Sequence, residues 1–162
     1  MSKNSTQQQV FQLIKSMTKS EKRSFKIYVG RLNDQMDAKF IKLFDTLDKM
    51  ENYDEFALMK KMNGMTKPQL ANLKSHLYKQ VLLVLRINHM KSDVDIQLRE
   101  NLDYVRLLFK KGLYDQSLKL LHRIKGTADN YKKNIFRLAL LNYEKNIENQ
   151  QMLTLSESSV NQ

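Results

Sequence analysis

The sequence predicts an all-α protein, a helical bundle of about eight helices. Glycine and proline are rare, with 4 and 1 among 162 residues, and β-branched residues are also sparse. A sheet protein needs more of them, because turns use glycine and proline and strands favour β-branched side chains. Apolar residues instead recur at steps of three and four, the spacing of one face of a helix. The length suits one domain with its own hydrophobic core.

Composition also limits the compartment and the chemistry. Cysteine is absent, which excludes disulfides, zinc–thiolate sites and cysteine nucleophiles. The first residues lack the apolar core of a signal peptide, and the longest apolar run, residues 81–85, is far too short to span a bilayer. We therefore expect a cytoplasmic protein that does not bind membranes.

The formal net charge of +11 is unevenly placed. Residues 1–92 hold 17 Lys and Arg against 8 Asp and Glu, whereas residues 93–162 hold 11 against 9. This asymmetry indicates that the first half either meets an acidic partner or is a solvated basic surface.

The first two helices are predicted on either side of Thr18. Thr18 and Glu21 have the spacing of a capping box, in which each side chain bonds the other residue's backbone N–H. The helix that this box opens, about residues 19–32, has one apolar and one basic face. The basic face consists of Lys19, Lys22, Arg23 and Lys26.

Three further helices complete the first half. The first carries a regular apolar stripe from Phe40 to Met50. Asp54 is expected to cap a short helix that stops before Gly64. Pro68 opens the longest helix, about residues 68–89, because proline is favoured in the first turn. That helix is expected to be central to the core, through Leu70, Leu73, Leu77, Val81 and Val84.

Residues 102–128 predict two amphipathic helices joined at a tight corner. Lys110 and Lys111 would lie at the negative end of the first helix dipole, and Gly112 can adopt a positive φ. A boundary near Lys91 and Ser92 would divide the chain, unless it forms one continuous domain. The parts would be a basic helical region at 1–91, the hairpin and a following helix at 92–151, and a disordered tail at 152–162.

This hairpin resembles a tetratricopeptide-type repeat, a helix–turn–helix of about 34 residues. The similarity spans about residues 98–146 and depends on apolar, glycine and small residues at set places. These are Leu108, Phe109, Gly112, Tyr114, Ser117, Leu121 and Ile124. Asn101, Val105 and Asp129 depart from the pattern, and an ordinary α-helical hairpin is the alternative. The resemblance implies a non-enzymatic helical-repeat scaffold that mediates protein–protein interaction.

The last predicted helix, about residues 132–150, is apolar on two sides. Ile135, Leu138 and Ala139 form a face that can pack on the preceding hairpin. A second face, about 110° away, is the predicted partner-binding surface. It consists of Phe136, Leu140, Tyr143 and Ile147. This second face would bind a protein partner or a second copy of the chain, or be covered by the N-terminal helices.

No set of residues predicts catalysis or a cofactor. Ser16 and Lys19 have the Ser-x-x-Lys spacing of an activated serine, but the other motifs of that chemistry are absent. His76, His89 and His122 have no second ligand at the helical spacing that a zinc site needs. We therefore expect no enzyme activity, no metal, no cofactor and no small-molecule substrate.

The alternative function is nucleic-acid binding by the basic N-terminal half. The basic face of the 19–32 helix could contact phosphates, and residues 56–81 can be drawn as a helix–turn–helix. The residues facing DNA would be Lys67, Gln69, Asn72, Lys74 and Lys79. The apolar character of the 68–89 helix argues against this, because such a helix would not lie freely in a groove.

Overall fold

Eight α-helices make up most of the chain that the computed structural model describes, residues 3–31 and 35–160. No strand occurs in these residues, so the predicted all-α class is confirmed. The helices are α1 (Lys3–Ser16), α2 (Lys19–Val29), α3 (Gln35–Lys49), α4 (Glu55–Lys61), α5 (Lys67–His89), α6 (Val94–Lys110), α7 (Tyr114–Asn130) and α8 (Asn134–Val160).

Side-chain caps set several helix starts. The Thr18 hydroxyl accepts a hydrogen bond from the Glu21 N–H at 3.2 Å, and the Glu21 carboxylate accepts one from the Thr18 N–H at 2.7 Å. This is the predicted capping box. Asp54 and Asp93 each accept bonds from two N–H groups, at the starts of α4 and α6. The end predicted for α2, Leu32, lies outside the described residues.

The chain divides into two compact units, residues 1–89 (unit 1) and 90–162 (unit 2). The division falls close to the boundary predicted near Lys91. Each unit has its own hydrophobic core, whereas the length alone suggested one.

In unit 1, α5 packs against α1, α2 and α3. The stripe predicted for it is buried from Leu70 to Val84. Phe25 of α2 stacks on Phe44 of α3, with ring centroids 4.5 Å apart. His89, at the end of α5, places Nε2 2.9 Å from Glu21 Oε1. The end of α5 is therefore bonded to the start of α2.

In unit 2, α7 packs against both α6 and α8. Ser117 is fully buried where α7 meets α6, and its hydroxyl donates to the Val105 carbonyl at 2.9 Å. A side chain this small lets the two helices approach closely. At the α6–α7 corner Gly112 has a φ of 73°, and the Leu113 N–H donates to the Leu108 carbonyl at 3.0 Å. The predicted glycine corner is therefore present.

The last helix is longer than the sequence suggested. A tail was expected from about Met152, but α8 continues to Val160. The reason is that no glycine or proline lies between Asn134 and Val160, so nothing in the local sequence ends the helix.

Candidate interaction surfaces

The predicted partner-binding face of α8 lies inside unit 2. Leu140 and Ile147 are fully buried, and Phe136 and Tyr143 are partly buried against the same core. The covering surface comes from α6 and α7. These four side chains therefore do not form an accessible surface, and the prediction that they do is wrong.

The opposite side of α8 is exposed. Ile135 is 89% exposed and Leu138 is 68% exposed. The exposed apolar residues on this side are named the outer face of α8; they are Ile135, Leu138, Leu141, Met152 and Leu153. The sequence pattern had predicted that Ile135 and Leu138 pack on the hairpin, and their exposure shows that this prediction is wrong. Because α8 carries apolar residues on two sides, periodicity alone could not decide which side turns inward.

Ion pairs fix the orientation of α8. Glu144 accepts a hydrogen bond from Lys125 of α7 at 2.8 Å and lies 3.0 Å from Nε2 of His122. The hydrogen bond from Lys125 is the main cause that holds the pKa of Glu144 below its usual value. Further along, the Gln151 amide donates to Asp115 at 2.7 Å. The polar edge beside the buried face of α8 is thus bonded to α7.

The basic face of α2 is partly neutralised within unit 1. Lys22 pairs with Asp48 at 2.7 Å, and Lys26 pairs with Asp45 at 2.6 Å. Lys19 and Arg23 are exposed, and no ion pair with a carboxylate occurs for either among the described residues. All four cations line one shallow cavity of about 440 Å³. Two of the four cations predicted on this face, Lys19 and Arg23, are therefore without a carboxylate partner in the described part of the chain.

Lys74 is not available to a nucleic acid. Its side chain is 3% exposed, and its ammonium group donates to the Tyr53 hydroxyl at 2.9 Å and to Glu55 at 3.5 Å. The cause is helical phase, because Lys74 lies four residues after Leu70 and three before Leu77, on the buried stripe. The contact predicted for Lys74 is wrong, whereas Lys67 is exposed as that prediction requires.

The other side of α5 is polar and exposed in its first half. Four exposed residues on this side, Gln69, Asn72, His76 and Lys79, are named the outer face of α5. Three of them, with Lys39 of α3, line a cavity of about 340 Å³. The apolar side of α5 is buried in the core of unit 1, so apolarity is no obstacle to contact through the outer face. His76 and Lys39 were missed. The absence of Asp and Glu from residues 67–89 is a signal for a basic face on α5 that would include His76, whereas the position of Lys39 depends on how α3 packs.

The described residues contain no group of three or more His, Asp or Glu side chains placed to hold a metal ion. Among the helices they form, none combines the length and apolarity needed to cross a bilayer. Comparison with protein-family models, curated proteins and solved structures found no match. The exposed faces of α2, α5 and α8 are therefore the features that bear on function.

Proposed function

We propose that this protein is a non-enzymatic helical-repeat scaffold of the cytoplasm, and that unit 2 binds a partner protein through the outer face of α8. The observation that carries the proposal is the exposure of Ile135 and Leu138, at 89% and 68%. A single exposed leucine is ordinary, but contiguous exposed apolar residues usually mark an interaction site. The five residues of this face lie within about 120° of one another around the helix, and Ile135, Leu138 and Leu141 follow one another at three-residue steps.

The rest of unit 2 supports a scaffold role. Its three helices begin at Val94, Tyr114 and Asn134, at even steps of 20 residues. Buried Ser117 and corner Gly112 occupy places where a tetratricopeptide repeat has small residues. One helix pair spans 40 residues, from Val94 to Asn134, against about 34 in that repeat. We therefore propose a helical repeat in general, with the tetratricopeptide type as its nearest description. The lack of cysteine fits a reducing compartment such as the cytoplasm.

Site-specific photo-crosslinking in living cells tests the proposal. A photoreactive phenylalanine analogue would replace Leu138, and in a matched control it would replace Leu107, which is 55% exposed on α6. We expect one adduct of discrete mass from position 138 and none from position 107. Adding Ile135→Ser and Leu141→Ser should abolish the adduct, because the apolar contact is lost.

Mass spectrometry would then identify the captured protein, and an adduct of twice the chain mass would make that partner a second copy of this chain. Circular dichroism should be unchanged for all variants, since every altered residue is exposed. Equal adducts at positions 138 and 107, or no adduct at 138, would overturn the proposal.

A further inference from the structure

We propose that unit 1 binds duplex DNA through the outer face of α5, with Lys79 on this face and Lys39 of α3 beside it. This site lies in the other unit and is independent of the function proposed for unit 2. It is separate from the basic face of α2, and it keeps Gln69, Asn72 and Lys79 of the helix–turn–helix predicted over residues 56–81 while adding His76 and Lys39. The charge of α5, the residue types on its outer face and the core behind it support this site.

The charge of α5 favours a polyanion. The helix has 23 residues and contains no Asp or Glu. Lys67 and Lys79 are exposed on it, and Lys39 of α3 lies beside it in the 340 Å³ cavity. Unlike Lys22 and Lys26, none of these three has an ion pair with a carboxylate among the described residues. Their positive charge is therefore available to phosphates.

The residue types on the outer face are those that read base edges. Asparagine can bond adenine through two hydrogen bonds, and the amide nitrogen of glutamine can donate to an acceptor on a base edge. Gln69, Asn72, His76 and Lys79 are spaced three, four and three residues apart, so they lie within about 80° around the helix. They extend over about 15 Å of its length. A helix about 10–12 Å across fits a major groove about 12 Å wide, with this stripe turned toward the bases.

The outer face has a rigid support. Leu70, Leu73 and Leu77 anchor the opposite side of the helix in the core. Gln69 is fixed by the cap at the helix start, where its Oε1 accepts a hydrogen bond from the Thr66 N–H at 2.8 Å. Its amide nitrogen remains able to donate to a base. Before this cap come α4 and a turn in which Gly64 has a φ of 84°, the order of a helix–turn–helix.

The geometry favours DNA over RNA. A helix enters the major groove of B-form DNA, whereas the major groove of an A-form RNA helix is too narrow for side chains to read. Lys67 lies about 160° around α5 from the centre of this stripe, so it is not counted as a contact. If Lys39 and Lys79 each neutralise one phosphate, the logarithm of the affinity should fall with the logarithm of salt at a slope of about −2.

Fluorescence anisotropy with a labelled random-sequence DNA duplex would test this on the full chain, between about 50 and 200 mM salt. Lys39→Glu with Lys79→Glu should weaken binding about tenfold or more and reduce the slope by about 2. Lys19→Glu with Arg23→Glu makes the same change of charge in the same unit. It should leave the slope unchanged. All four side chains are exposed, and the milder pair Lys39→Gln with Lys79→Gln should reduce the slope by the same amount.

Selection from a random duplex pool would test base reading. Asn72→Ala should relax the preferred sequence at one position and leave the salt slope unchanged, because it removes a base contact and no phosphate contact. Absence of binding at the lowest salt would overturn the proposal. So would equal losses from the two double reversals, or tighter binding to an RNA duplex of the same sequence. Each of these results would leave the photo-crosslinking test of α8 unaffected.

Discussion

Lys132 adopts the left-handed backbone conformation that Gly112 adopts twenty residues earlier. The φ angles are 54° and 73°. At the first corner the Leu113 N–H donates to the Leu108 carbonyl at 3.0 Å, and at the second the Lys133 N–H donates to the Ala128 carbonyl at 2.8 Å. The two corners of unit 2 therefore share one hydrogen-bond pattern, but only the first has the residue type that suits it.

Lys132→Gly should raise the free energy of unfolding by up to about 1 kcal/mol. A side chain in the left-handed region costs about 1–2 kcal/mol, of which the greater entropy of glycine in the unfolded chain offsets a part. The reciprocal change, Gly112→Ala, should lower the free energy of unfolding by about 1 kcal/mol. No atom lies within 4 Å of the added Cβ, so the effect would come from the backbone alone. Urea denaturation measures both, and a destabilised Lys132→Gly would contradict the shared geometry.

The sequence predicted those helix starts and corners whose geometry depends on one or two neighbouring residues. The capping box at Thr18 and the corner at Gly112 were predictable because each depends on a residue type with a specific backbone role. The corner at Lys132 was not predictable, since lysine carries no such signal. The burial of Lys74 was also missed, because it depends on which side of α5 meets α1, α2 and α3. Among the candidate surfaces, most of the exposed residues of α5 were predicted. For α8 the prediction was wrong, because the side predicted to be accessible is buried and the side predicted to pack on the hairpin is exposed.

Substitution at Ser117 should reveal how closely α6 and α7 approach. Ser117→Ala removes the hydrogen bond to the Val105 carbonyl and should lower stability by about 0.5–1.5 kcal/mol. Ser117→Leu also forces a larger side chain into a fully buried position and should cost at least about 1–3 kcal/mol more. Urea melts of the two variants make the comparison. A leucine variant as stable as the alanine variant would mean that the helices separate easily.

Acid should weaken unit 2 through Glu144. Its pKa is lowered in the folded state, chiefly by the hydrogen bond from Lys125. The stabilisation is therefore fully present above the ordinary pKa of 4.5 and is lost as the pH falls through the lower folded-state value. Between about pH 7 and about pH 3, Glu144→Gln should lose less stability than the wild type. Glu148→Gln, exposed on the same helix, is the control and should lose as much as the wild type.

Truncating a leucine should lower the stability of unit 2 far more on the buried side of α8 than on its exposed side. Leu140 is fully buried against α6 and α7, so Leu140→Ala leaves a cavity and should lower the free energy of unfolding by about 2–5 kcal/mol. Leu138 is two residues away and 68% exposed, so Leu138→Ala should change it by no more than about 0.5 kcal/mol. The pair is matched, because both changes remove the same atoms at positions two residues apart on one helix. Denaturant melts of the two variants, monitored by far-ultraviolet circular dichroism, give the difference directly. If Leu138→Ala were the more damaging change, α8 would pack on the hairpin through Ile135 and Leu138, and the outer face proposed as the binding surface would be core.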